Sequence, residues 1–392
     1  MKNYCLFSIL LFFIFTVGCR NDKNYERNCI DYVDSLRINL DNVNLRVAFI
    51  KPELNSKVRP YAFVYDNHLI VLNKQGAFYT FTMDCFERDI VFEDKLNRMY
   101  FKRAFVLEDS LYGVDENNVS FLYNESKKKW DKVEIALPFG NATPMYEDEK
   151  YVCYSVCHGE FGGAVFFYNK ESHQTTFFPT NCAICVMRKK DGYYIISNLA
   201  HMIGGSTIVG VSSPDSLFKF SDSLFINNGW KEMYEKKIYE LTTNDTSVNS
   251  ESFSLDFRGS EKLISSGFTC GDNYYFLTQM AKNKTYLTKL QYDSTGVTKK
   301  IKSIIEHPSR NKYYRIVLRH DELDTISVPD IIFHDLPASH GEITRKTSDI
   351  TIINYTHIAK NPDDWSEYSY RNLLVTTFIQ RDSSLIRIDW AK

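Results

Sequence analysis

Asp191-Gly192-Tyr193-Tyr194-Ile195-Ile196 sets out in six residues the unit from which this chain is built. An aspartate and a glycine make a turn, and an unbroken run of aromatic and β-branched residues follows. Asp-Gly supplies the positive φ that a two-residue hairpin needs, and Tyr and Ile favour a pleated strand. The arrangement recurs at Asp66-Asn67 before Leu69-Ile70-Val71-Leu72, and at Asp109-Ser110 before Leu111-Tyr112-Gly113-Val114. It recurs at Glu147-Asp148-Glu149 before Tyr151-Val152-Cys153-Tyr154, and at Gly271-Asp272-Asn273 before Tyr274-Tyr275-Phe276-Leu277. Asp382-Ser383 before Leu385-Ile386-Arg387-Ile388 closes the series.

From Asp66 the aspartates step by 43, 39 and 43 residues to Asp109, Asp148 and Asp191, and Asp272 lies 81 further on. A period of ~40–45 residues holding several strands is that of propeller blades. The spacing predicts an all-β chain with one β-propeller over residues 44–392. Six clear turns and the blurred stretches between them give seven blades, with six or eight left open. Two stacked β-sandwiches, also made of short strands with regular turns, are the competing architecture. Closure of the ring is expected between Asn44–Ile50 and the C-terminal strand Asn372–Arg381, which would remove free sheet edges. The pattern blurs in the polar stretch from Asp222 to Ser260 and between Arg315 and Tyr355, where Pro329 and Pro337 intervene.

The N-terminus reads as an export signal. Lys2 gives a short positive region, and Tyr4 to Val17 are apolar apart from Ser8 and Thr16. That run falls short of the ~20 residues of a membrane span and suits the apolar core of a signal peptide. It ends in Thr16-Val17-Gly18-Cys19, which resembles the lipobox of bacterial lipoproteins, although leucine is commonest where Thr16 stands. The resemblance implies cleavage after residue 18 and a diacylated Cys19 at the new N-terminus. Two or more acyl chains anchor a protein stably where one does not. Residues 1–18 are thus read as signal peptide and 19–43 as lipidated N-terminus and tether, with Ile30–Leu40 able to hold a short helix or a first strand.

Composition narrows the partners. The net charge is −2, with no basic block. Nucleic acid is therefore excluded as a partner, because phosphate binding needs a clustered positive face. The chain has 26 Tyr and 28 Phe, an aromatic load that favours strands. Of nine cysteines, Cys5 leaves with the signal and Cys19 carries lipid, so Cys29, Cys85, Cys153, Cys157, Cys182, Cys185 and Cys270 remain. An odd set in an exported protein leaves at least one free thiol.

With its lipobox and its repeat, the chain resembles the β-propeller lipoproteins of Bacteroidota-type bacteria over most of residues 44–392. The resemblance implies an anchored propeller in the cell envelope of a Gram-negative bacterium, on the outer membrane and facing either the periplasm or the surface. It implies no reaction.

One stretch concentrates candidate site residues. His158-Gly159-Glu160-Phe161-Gly162-Gly163 begins ten residues after Asp148, and His201-Met202-Ile203-Gly204-Gly205 begins ten after Asp191. The common offset places both at the end of a blade's second strand, on the face opposite the aspartate turns. His158, Glu160 and His201, with Gly162, Gly163, Gly204 and Gly205, form the expected ligand-binding set. Two imidazoles and a carboxylate could also bind a divalent metal or move protons. Equally, the glycines could shape bulges and turns while the histidines bond to neighbouring loops. His173, His320, His334, His340 and His357 could approach from other blades.

Cys153-x3-Cys157 and Cys182-x2-Cys185 match a four-cysteine zinc site only in outline. On a strand, residues three apart face opposite ways and residues four apart lie ~13 Å apart. Buried thiols or a cross-strand disulfide suit them better, so no metal and no cofactor is expected. Asp321-Glu322 and Asp363-Asp364 read as solvated loops, lacking the alternating oxygens of a calcium loop.

The sequence thus points to a membrane-anchored binding module. Its partner would be a small molecule, a glycan or an envelope protein, held on the face or central channel that carries loops 158–163 and 201–205. The alternative is a metal-assisted enzyme cleaving carbohydrate or peptide with His158, Glu160 and His201.

Overall fold

The chain enters its fold through a hairpin, β1 (Asp34–Leu40) and β2 (Val43–Ile50), in which Leu40 sits opposite Val43. The computed structural model of the protein describes residues 34–390 except 41–42, 51–57, 135–143, 158–161, 191, 200–204, 221–262, 281–283, 291–302, 307–311, 318–322, 326–342, 348–349 and 359–371. Strand β1 lies within the stretch read as tether.

Six antiparallel meanders follow. Sheet one is β3 (Val58–Tyr65), β4 (His68–Asn73) and β5 (Phe78–Thr82), followed by helix α1 (Ile90–Leu96). Sheet two is β6 (Arg103–Leu107), β7 (Ser110–Val114), β8 (Ser120–Asn124) and β9 (Lys129–Val133). Sheet three is β10 (Pro144–Glu147), β11 (Tyr151–Cys157), β12 (Gly163–Asn169) and β13 (Thr175–Thr180). Sheet four begins with β14 (Cys182–Lys189), β15 (Gly192–Leu199) and β16 (Gly205–Val211), after which short β17 (Phe218–Lys219) turns back to pair with β13. Sheet five has β18 (Leu263–Cys270), β19 (Asn273–Met280) and β20 (Lys284–Leu290). The chain then returns to complete sheet four with β21 (Ser303–Glu306) and β22 (Lys312–Val317), and sheet five with β23 (Leu323–Thr325). Sheet six is β24 (Ile343–Thr347), β25 (Ile350–Ile358), β26 (Asn372–Arg381) and β27 (Ser384–Asp389).

Successive sheets pack in a ring. Strand β3 meets β6, β6 meets β10, β10 meets β14, β14 meets β18, β18 meets β24 and β25, and β25 and β26 return to β3. This is a β-propeller, with six blades among the described residues. The aspartate turns explain the number. Those at Asp66, Asp109, Asp148 and Asp272 join the first two strands of sheets one, two, three and five, Asp191 lies outside the described residues, and Asp382 joins the third and fourth strands of sheet six. The doubled step to Asp272 holds no sheet of its own among the described residues, and the strands that complete sheet four come from after sheet five.

Closure differs in its partner from the sequence expectation. Strand β2 does pair with the C-terminal sheet, but in parallel with β27, Val47 opposite Leu385 and Phe49 opposite Arg387. Asn372–Arg381 is already flanked on both sides by β25 and β27 and has no edge to offer.

The unbroken apolar runs have a packing reason. Side chains of a strand alternate between faces, and here both faces are covered by neighbouring blades. In β4, Ile70 and Leu72 enter the core shared with sheet two, beside Phe101, Val106 and Trp130. Leu69 and Val71 enter the core shared with sheet six, beside Ile379, Ile388 and Trp390. In β15, Tyr193 and Ile195 face sheet three while Tyr194 and Ile196 face sheet five. A buried apolar side chain contributes roughly 1.5–3 kcal/mol, so each run binds two blades at once. The turns match: Asp66 and Asn67 take φ of 44° and 55°, as a two-residue hairpin requires.

The inner strands of sheets three and six, three places apart in the ring, meet through a parallel pairing of Tyr146 with Lys346. Tyr146 is next to last in β10, so the ring is bridged near the face that carries the aspartate turns.

Candidate functional site

The two loops singled out in the sequence are rooted together. Loop 158–162 leaves β11 at Cys157 and re-enters at Gly163, and these two residues are cross-strand partners. Loop 200–204 leaves β15 at Leu199 and re-enters at Gly205, again a cross-strand pair. Both connect the second and third strands of their blades, so their roots lie on one face, away from the aspartate turns. His158, Glu160, His201 and Gly204 themselves lie outside the described residues.

What joins the roots is a disulfide between Cys157 and Cys182, with Cα atoms 4.6 Å apart. Cys182 starts β14 and pairs with Asn198, one residue before the end of β15. The bridge therefore ties the base of one loop to the strand pair that bears the other. Cys153 and Cys185 are buried thiols outside any disulfide and in different cores, Cys153 between sheets three and four and Cys185 between four and five. Burial pushes the Cys153 thiol well up, which keeps it inert. The four cysteines thus divide into one disulfide and two separate thiols. Among the described residues no group of three or more His, Cys, Asp or Glu is placed to hold a metal ion.

Hydrogen bonds continue the seam inward. The Thr180 hydroxyl donates to the Ser197 hydroxyl at 2.9 Å, linking blades three and four. The Asn198 amide donates to the Ile264 carbonyl at 3.0 Å, and the Ile264 amide donates to the Ser206 hydroxyl at 2.8 Å, linking blades four and five. These buried polar groups fix how the blades stand beneath the loops.

The described glycines have structural reasons of their own. Gly162 takes φ of +92°, a region that side chains avoid. At Gly163 a Cβ would run into the Val156 carbonyl oxygen and come within 3.2 Å of the Asn181 carbonyl oxygen and the Cys157 Cα.

At the other end of the same seam sits a feature that the sequence reading used only as a turn marker. One oxygen of Asp148 accepts from the backbone amides of Lys150 (2.9 Å) and Tyr151 (2.8 Å) of its own turn. The other accepts from Tyr146 (3.1 Å) and, on blade four, from Tyr193 (2.6 Å) and Arg188 (3.0 Å). Burial works against its ionisation, but the bonds from Tyr193, the two amides and Tyr146 outweigh it and hold the carboxyl below the ordinary range. Glu147 reaches toward blade two, accepting from the Glu108 amide at 3.0 Å, and is bonded to Lys170 of its own blade at 2.6 Å. These acidic turns are latches between blades.

No protein-family model matches the chain, and no curated protein matches it. Solved structures similar to it are β-propeller proteins. BamB from Moraxella catarrhalis is 10% identical, with 74% of this chain and 80% of that chain covered and a TM-score of 0.29. The tricorn protease is 11% identical, with 84% and 30% covered and a TM-score of 0.35. The N-terminal domain of Nup159 is 8% identical, with 75% and 71% covered and a TM-score of 0.26. The propeller assignment rests on the six sheets and their closure.

Proposed function

We propose that this protein is a lipid-anchored, extracytoplasmic binding module of the bacterial cell envelope. Its ligand, a small molecule, a glycan or an envelope protein, would be held by the loops that follow β11 and β15. The observation that carries this reading is the joined roots of those loops. A disulfide and a row of hydrogen bonds tie together the roots of two loops of neighbouring blades, and rigid scaffolds that present loops are where binding residues concentrate. The pairing of Tyr146 with Lys346 across the ring favours the loop face over a through-channel.

Export is supported by cysteine chemistry. Cys157 and Cys182 are bonded, and Cys85 is bonded as well. Disulfides persist in oxidising compartments and are rare in the cytosol. No helix of the described residues is long and apolar enough to cross a membrane. Outer-membrane location rests on the resemblance to propeller lipoproteins.

The test uses the mature chain on an array of envelope glycans and peptidoglycan fragments, comparing wild type with His158→Ala/Glu160→Ala/His201→Ala. The expected result is retention of a defined ligand by the wild type and at least tenfold weaker retention by the variant. Equal retention by both would remove these residues from the site.

A further inference from the structure

The seam between blades three and four is closed by different chemistry at its two ends. Near the aspartate turns it is held by Asp148, whose carboxylate gathers Tyr193 and Arg188 from blade four. Between the ends lies a shared core containing Tyr151, Cys153 and Phe167 of blade three and Val186, Ile195 and Val209 of blade four. Toward the loops this core thins out. In β11, Tyr151 to Tyr154 are buried, Ser155 and Val156 are half-buried and Cys157 is exposed. In β14, Cys182 and Ala183 are half-buried, and only from Ile184 does the strand become buried. Where burial fades, the covalent bond takes over.

The geometry points to a redox-sensitive joint: reduction of Cys157–Cys182 releases the loop end of this seam while the Asp148 end stays closed. The sulfur of Cys157 belongs to an exposed residue, so a thiolate can reach it, and exposed disulfides are the labile, regulatory ones. The reductant is a dithiol, small or carried by a thiol oxidoreductase. One of its thiolates attacks the Cys157–Cys182 bond to give a mixed disulfide. Its second thiolate then displaces the protein sulfur and closes the dithiol's own disulfide. Two electrons and two protons pass to the protein, leaving Cys157 and Cys182 as thiols.

At that end the chain itself crosses from β13 to β14, Thr180 to Cys182, and the disulfide adds β11 to the crossing. Besides the disulfide, the Ser155 hydroxyl of β11 reaches the Ala183 carbonyl at 3.5 Å, the outer limit of a hydrogen bond, whereas Thr180–Ser197, at the same level, ties β13 and not β11 to blade four. Cys153 and Cys185, buried on different faces, are poorly placed to re-form a bond with the released thiols. The effect on ligand binding rests on the function proposed above, but the opening of the seam does not.

The experiment is amide hydrogen exchange on the folded mature chain, read by mass spectrometry with and without dithiothreitol. It is repeated on Cys157→Ser/Cys182→Ser without reductant, which separates this bond from the one at Cys85. The expected result is exchange at least tenfold faster in residues 153–157 and 182–185, in both the reduced wild type and the variant. Residues 146–152 and 186–193 should keep their rates. Unchanged exchange at 153–157 and 182–185 would overturn the joint. So would acceleration spread evenly over both ends of the seam. If the variant does not fold, Cys85→Ser with and without dithiothreitol isolates the Cys157–Cys182 bond instead.

Discussion

Asn354 of β25 treats Ala62 of β3 as a strand partner: its side-chain amide donates to the Ala62 carbonyl at 3.0 Å, and its side-chain oxygen accepts from the Ala62 amide at 3.3 Å. The two residues are 292 apart in sequence and belong to the last and first blades. Thr377 donates to the same Asn354 oxygen at 3.0 Å, and Trp390 donates to Thr377 at 2.7 Å. A buried side chain thus supplies backbone-like hydrogen bonds where the ring closes.

Truncating that side chain should be costly. Asn354→Ala leaves two buried backbone groups of Ala62 and the Thr377 hydroxyl without this partner. An unsatisfied buried polar group costs ~1–3 kcal/mol, so a loss of roughly 2–4 kcal/mol is expected in urea unfolding. A loss under 1 kcal/mol would mean that closure rests on β2 and β27 alone.

The disulfide should stabilise the chain beyond its local effect on exchange. It spans 25 residues, and a loop of that order is worth ~3 kcal/mol through the restricted unfolded chain. Cys157→Ser/Cys182→Ser should therefore lower the urea midpoint, and added reductant should lower it no further except through Cys85.

Asp148 should give the fold part of its acid sensitivity. Its carboxyl is held below the ordinary range in the folded state, against ~3.9 in an unfolded chain. The stability it contributes is fully present above the unfolded value and is lost as pH falls through the folded one. Stability measured between about pH 5 and pH 2 should fall more steeply in wild type than in Asp148→Asn. Asp148→Asn should also be roughly 1–3 kcal/mol less stable at neutral pH, because Tyr193 and the turn amides lose a charged acceptor. The Arg188 pair adds little, since that side chain is half exposed.

Gly163→Ala should destabilise by about 1–3 kcal/mol, as overpacking does, because the new methyl meets the Val156 carbonyl. If the glycine instead serves only a ligand, stability would stay unchanged while binding fell.

Much of this fold was readable from residues. The aspartate turns marked five of six blade starts, and strands apolar on both faces announced sheets packed between neighbours. Two features escaped for different reasons. Strands β17, β21 and β22 return to earlier sheets, and edge pairing of this kind is decided by which edge is free, not by local pattern. Helix α1 lay unnoticed in the gap after β5, although Asp89 capping the Phe92 amide is a local start signal. At the candidate site, offset counting placed the two loops on one face, but Cys157 and Cys182 lie on strands of different blades. Their pairing depends on the packing of those blades, which no spacing encodes.

The account centres on the loop face of blades three and four as the place where a ligand is held. Site-specific photo-crosslinking in intact cells tests it most directly, with a photoreactive residue at position 160 in one strain and at Asp109, an exposed turn residue on the opposite face, in another. The account predicts one defined adduct from position 160, lost on Cys157→Ser/Cys182→Ser or His201→Ala, and none from position 109. Adducts from position 109 alone, or from neither position, would contradict it.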